Sequence, residues 1–204
     1  ITASEAVTAL VCTIDGEATT MGGSGTGWTS TLTLDGDETE QSTVFSCASF
    51  IDTAGNAGVT DTTANTGAVT VDLTKPTLGI AMASNNADST KAKSGDIITL
   101  TITASEAVTA LVCTIDGEAT TMGGSGTGWT STLTLSGDET EQAAVFSCAS
   151  FIDAAGNAGV TDTTANTGSV TVDLTAPTVG IDTIATDGYI SNAESSSFVI
   201  TGTA

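Results

Sequence analysis

ITASEAVTALVCTIDGEATTMGGSGTGWTSTLTL runs from Ile1 to Leu34 and recurs unchanged from Ile102 to Leu135, so that residue n returns at n + 101. The match continues to Pro76 and Pro177 with six changes: Asp35/Ser136, Ser42/Ala143, Thr43/Ala144, Thr53/Ala154, Ala68/Ser169 and Lys75/Ala176. A solenoid unit repeats every ~20–50 residues. A period of 101 residues is instead the size of a whole domain, and near-identity over that length points to tandem duplication.

Within one period, apolar alternation bounded by turn residues predicts strands near Leu78–Ala83, at Asp96–Ala104 and Ala110–Asp116, near Trp129–Leu135, and at Ala144–Ile152 and Ser169–Asp173. A short additional strand is expected around Glu118–Met122. Turns are expected at Asp116-Gly117, Gly123–Gly126, Ser136–Asp138 and Asp153–Asn157. No stretch keeps a helical period. The predicted fold class is all-β: tandem immunoglobulin-like Greek-key β-sandwiches joined end to end. Residues 1–75 form a unit lacking its first strand and most of its second, and 76–176 a complete unit. Residues 177–204 align with the start of the second unit, as the beginning of a third or as a donor segment. The abrupt start at Ile1 leaves two readings: a window cut from a longer array, or a split domain completed by the C-terminal segment of a neighbouring chain.

Composition narrows the chemistry. The chain carries 24 acids against three lysines, with neither arginine nor histidine, for a net charge of −21. Nucleic acids and anionic membranes are bound through Lys and Arg, so neither is an expected partner. Without histidine, Ser-His-Asp and Cys-His catalysis cannot be assembled. What remains is carboxylate chemistry or the binding of hard cations by oxygen. The chain is not disordered in composition, because 39% of its residues are apolar and only 13% charged. No 18-residue apolar run offers a membrane span.

Cys12 and Cys47 fall on strands expected to be neighbours in one sheet, and Cys113 and Cys148 repeat the arrangement. Each pair is expected to form a cross-strand disulfide, a crosslink worth roughly 3–4 kcal/mol for a loop of about 36 residues. That implies an oxidising, extracytoplasmic compartment. Thiolate metal binding and buried free thiols are the competing readings. Trp28 and Trp129 are expected to pack on the core, with ligand stacking as the alternative. GGSGTG lacks the lysine and helix of a phosphate loop.

Loops of an antiparallel sandwich alternate between its ends. In the second unit this gathers Glu106 of ASEAV with Asp153 and Asn157 of the Asp153–Asn157 turn, and the entering linker VDLTKPT supplies Asp72. Carboxylates with an amide carbonyl suit Ca²⁺. The first unit repeats Glu5, Asp52 and Asn56, and Asp173 opens a third such junction. Equally, Asp and Asn favour turns without any ion. At the opposite end Asp116, Glu118, Asp138, Glu139 and Glu141 are expected to be balanced in part by Lys91 and Lys93.

ASEAV, the D-x-A-G-N-A-G turn and the VDLTxPT linker resemble the bacterial Ig-like repeats of giant cell-surface adhesins, among them the extender domains of repeat-in-toxin and biofilm-associated adhesins. The resemblance covers essentially the whole chain, and IDTIATDGYISNAESSSFVITGTA is similar to a second subtype of these repeats. It implies an extended extracellular rod rigidified by Ca²⁺ at interdomain junctions, with Asp72, Glu106, Asp153 and Asn157 as the junction set. The cysteine pair departs from the family pattern and leaves room for a covalently reinforced filament. The expected function is therefore a non-catalytic spacer, whose partners are neighbouring repeats of the same chain. The alternative is a subunit of a self-assembling extracellular filament or sheath built from chains of the same type. Carbohydrate recognition around the tryptophans is a weaker reading, and an enzyme is not expected, since an active site has no reason to recur unchanged in adjacent repeats.

Overall fold

Threonine, valine and isoleucine crowd a helix but fit a pleated surface, and the described residues hold strands and no helix. A computed structural model describes residues 1–182 together with Tyr189, Asn192, Gly202 and Thr203. The chain divides into two compact units, Ile1–Pro76 with Phe151–Val160, and Thr77–Ser150 with Thr161–Ala204.

The first unit contains β1 (Thr2–Thr8), β2 (Val11–Ile14), β3 (Glu17–Ala18), β4 (Thr20–Thr31), β5 (Phe45–Ala48) and β6 (Ile51–Asp52). They form two antiparallel sheets, ordered β4-β1-β6 and β3-β2-β5. Leu10, Cys12 and Cys47 are buried between Met21, Trp28, Phe45 and Phe50. Trp28 thus packs on the core, and its Nε1 donates to the Gly25 carbonyl at 3.0 Å.

The second unit contains β7 (Leu78–Ser84), β8 (Lys91–Ala92), β9 (Ile97–Val108), β10 (Val112–Ile115), β11 (Glu118–Ala119), β12 (Thr121–Thr134), β13 (Phe146–Ala149) and β14 (Thr171–Val172). Its antiparallel sheets are β12-β9-β7 and β11-β10-β13, and β14 runs parallel to β8. A further pair, β15 (Gly180–Ile181) and β16 (Gly202–Thr203), is antiparallel. Alternation along β9 buries Ile98, Leu100, Ile102 and Ala104, β7 adds Ile80 and Met82, and β10 and β13 add Cys113, Ile115, Phe146 and Cys148. Each sheet therefore turns one apolar face inward, the arrangement of a sandwich-like all-β domain.

The cysteines lie on those inward faces. Cys12–Cys47 and Cys113–Cys148 are disulfides, and each joins residues directly opposite in the register of β2 with β5 or β10 with β13. Two disulfides fit a chain that folds in an oxidising compartment. At the expected Asp116-Gly117 turn both residues have positive φ, 50° and 84°, as a two-residue type I′ hairpin between β10 and β11 requires.

Several segments differ from expectation. The Gly-rich run is not a turn but part of β12, and ASEAV is not a loop but the end of β9. The cause is a bulge: Gly126 pairs with Val108 while Gly128 pairs with Thr103, so the extra residues on β9 are absorbed without ending the strand. Glycine is needed there because a Cβ on Gly124 (φ +97°) would stand 2.3 Å from the Gly128 carbonyl oxygen. The strand predicted at Ala144–Ile152 is shorter, ending at Ala149 where Ser150 takes φ +60°. The expected third unit at 177–204 falls largely outside the described residues.

Candidate functional site

The turn at Asp153–Asn157 is closed by an antiparallel bridge between Ile152 and Ala158. Gly156, at φ +100°, lets the chain wrap around the Asp153 carboxylate. Oδ1 accepts from the Gly156 and Asn157 amides at 2.7 and 2.8 Å, and Oδ2 accepts from Asn157 Nδ2 at 2.8 Å. Asp153 is only 4% exposed. Burial pushes its pKa up, but the hydrogen bonds from Asn157 and Gly156 outweigh that and hold the carboxyl below its ordinary value.

The same Asn157 Nδ2 also donates to the Asp72 carbonyl at 3.0 Å, and carboxylate oxygens of Asp72 and Asp153 lie within 4.8 Å of each other. Asp72, Asp153 and Asn157, all in the first compact unit, are therefore brought together. Two half-buried to buried carboxylates at that separation repel unless a cation stands between them. Among the described residues neither forms an ion pair, the one salt bridge being Lys93–Asp96. An all-oxygen carboxylate set fits a hard cation such as Ca²⁺. Asn157 turns its amide nitrogen toward the Asp153 carboxylate and the Asp72 main-chain carbonyl, so in this geometry it positions Asp153 rather than offering a ligand oxygen.

Glu106 stands half-buried on β9 of the second unit. In the first unit, Asp52 is wrapped by the Ala54 and Asn56 amides and by Asn56 Nδ2 at 2.8, 2.8 and 2.7 Å, so the turn recurs. Glu5, expected on a loop, lies on β1 and is exposed, and neither it nor Asp52 belongs to a group of three carboxylates among the described residues. Asp173 is exposed and accepts from the Thr175 amide, as Asp72 does from Thr74.

Sequence reasoning placed Glu141 among acids facing lysines and passed over Glu40, and missed that both glutamates bind backbone. Glu40 Oε1 accepts from the Leu73 amide at 3.0 Å and the Thr74 hydroxyl at 2.5 Å, and Glu141 does the same for Leu174 and Thr175 at 2.7 Å each. Each VDLT segment is thereby clasped by its own unit. The only signal available was the recurrence of both partners at n + 101. Lys93 does not reach the expected acids on other loops. It pairs with Asp96 at 3.0 Å, within its own turn, because three residues of separation cost less ordering than a bridge between loops. Acids also gather at Asp35, Asp37 and Glu38 and at Glu118, Asp138 and Glu139. Glu38 and Glu139 there cap backbone amides of their own turns.

Comparison with protein-family models, with curated proteins and with solved structures finds no match to this chain.

Proposed function

We propose that the chain is a structural, non-catalytic repeat segment of an extracellular bacterial surface adhesin, built of immunoglobulin-like sandwiches and acting as a spacer rigidified by Ca²⁺. The observation that carries the reading is recurrence. One sequence folds twice into the same cysteine-bearing sheet with the same inward disulfide, which suits a load-bearing array better than a site that must be unique. The clasped linkers support it, because each unit fixes the chain where the VDLT segment leaves it. Asp72 and Asp153 are the carboxylates that would hold the cation, with Asn157 orienting Asp153. The cation would supply the countercharge that two close carboxylates lack.

Calorimetric Ca²⁺ titration and thermal melting test this. Ca²⁺ is expected to bind and to raise the melting temperature by several degrees, about 1–2 kcal/mol for a domain of this size. Asp153→Asn and the less buried Asp72→Asn should each weaken that response. Identical melts and scattering profiles with Ca²⁺ and with excess EDTA would overturn the cation reading.

A further inference from the structure

Ile98, Leu100 and Ile102 of β9 are buried, so the residues between and after them, Thr99, Thr101 and Thr103, point to the opposite side of the sheet. The register continues that outward face on both neighbouring strands. Thr132 of β12 pairs with Thr99 and Thr130 with Thr101, while Gly128 stands against Thr103 and Thr134 against Ile97. On the other flank, β7 brings Ala83, Ala81 and Gly79 opposite Thr99, Thr101 and Thr103. The result is two adjoining files of three threonines, Thr99/Thr101/Thr103 and Thr130/Thr132/Thr134, edged by a file of small residues. Thr101, Thr103, Thr130 and Thr134 are exposed, and Thr99 and Thr132 half-buried.

The files lie about 4.8 Å apart, and successive threonines within a file about 6.7 Å apart. A β-branched side chain is stiff at χ1, so hydroxyl and methyl groups repeat on that grid. Gly123 leaves room beside it, since a Cβ there would stand 3.0 Å from Thr130 Oγ1. Thr132 donates its hydroxyl to the Thr121 carbonyl at 3.4 Å. Among the described residues the other five hydroxyls have no protein partner. An antiparallel sheet commonly wets one face, so exposure alone marks nothing; the regularity and the charge do. The chain carries 24 acids, yet none of these outward paired positions is ionisable. The wetted face of the other sheet has no such grid: Val112 and Thr114 face Ala149 and Ser147, and the Asp116 carboxylate accepts from the Val145 amide.

We propose that the outward face of the β12-β9-β7 sheet is a binding site for ice, its ligand the ordered water lattice at a crystal surface. The threonine grid is close to the rectangular repeat of oxygens on a prism face of ice. Each hydroxyl can therefore take the place of a lattice water, donating one hydrogen bond and accepting others, while the methyls between them exclude bulk water. Charge complementarity points the same way. An ice face carries no net charge, and a carboxylate against it would have to give up hydration that the lattice does not replace. The face also lacks the aromatic side chains with which a soluble ligand would be held. The site lies wholly within the second unit and depends neither on Ca²⁺ nor on the spacer reading.

Partitioning of the full chain into slowly growing ice, with the habit of a single crystal followed in the same EDTA-containing solution, tests it. The protein is expected to concentrate in the ice fraction and to facet the crystal. Thr101→Lys and Thr130→Lys, each at an exposed position, should abolish both effects while leaving the circular dichroism spectrum and the melting temperature unchanged. Val112→Lys, at a position 54% exposed on the other sheet, should alter neither effect. Exclusion of the unaltered chain from ice, or incorporation that survives Thr101→Lys and Thr130→Lys together, would overturn the proposal.

Discussion

Val69 and Val170 occupy the same place in the repeat, yet the first is 66% exposed and the second 0%. The pair isolates what a neighbouring strand contributes, because the flanking sequence is nearly the same in both units. In the second unit β8 lies alongside β14, and β7 and β9 cover the inward face. In the first unit the segment around Val69 makes backbone bonds to Thr43 and Val71 reaches Gln41, and among the described residues no parallel strand runs beside it. Local sequence therefore sets the strands, while their burial depends on partners distant in the chain.

Removing the crosslinks should divide the units most sharply. Loss of such a disulfide costs about 2–5 kcal/mol. Cys12→Ala with Cys47→Ala is expected to unfold the first unit, which buries fewer apolar residues, while the corresponding change at Cys113 and Cys148 leaves the second folded but less stable. Residue-resolved NMR in a urea series reads the two separately, and equal losses would break the comparison. Leu135→Ala should come next, at about 2–5 kcal/mol for a fully buried leucine, whereas Leu34→Ala should cost well under 1 kcal/mol. Gly124→Ala and Gly23→Ala should behave alike, at about 1–3 kcal/mol each, since in both units a Cβ would meet the same carbonyl oxygen at 2.3 Å. A difference between them would show that the burial around the Gly-rich strand is not the same in the two units.

The smallest effect is expected in acid. Asn86 Nδ2, the Lys93 amide and the Lys93 ammonium all donate to the Asp96 carboxylate, lowering it from 3.8 to about 2. A depressed carboxylate stabilises the fold above its unfolded value, and that stability is lost as the pH falls through the folded value. Protection of the β8–β9 turn from hydrogen exchange should therefore decline between about pH 4 and pH 2, and Asp96→Asn should flatten that dependence.

The repeat, the all-β class and both disulfide pairs were legible in the residues, because identity at n + 101, period-two alternation and cysteine placement are local or self-referential signals. The Asp153–Asn157 turn was legible for the same reason, since Asp, Gly and Asn encode it within five positions. Glu5 and Glu106 were misplaced onto loops. A bulge is a property of two strands at once, and ASEAV alone does not reveal that Gly126 and Gly128 face it. Glycine carried the second ambiguity, as it marks a turn in most contexts but a close backbone approach in β12. The contacts of Glu40 and Glu141 escaped notice because their partners lie 33 and 34 residues away.

The cross-strand disulfides also shape how this protein would respond to being pulled from its ends. Each closes a separation of 35 residues, and force entering at one cysteine passes directly to the other. That segment cannot pay out even when the surrounding strands have been peeled apart. At about 3.4 Å per extended residue, roughly 120 Å of contour is withheld in each repeat. Under reducing conditions the same length would be released, so the redox state sets how far the stretched chain can lengthen.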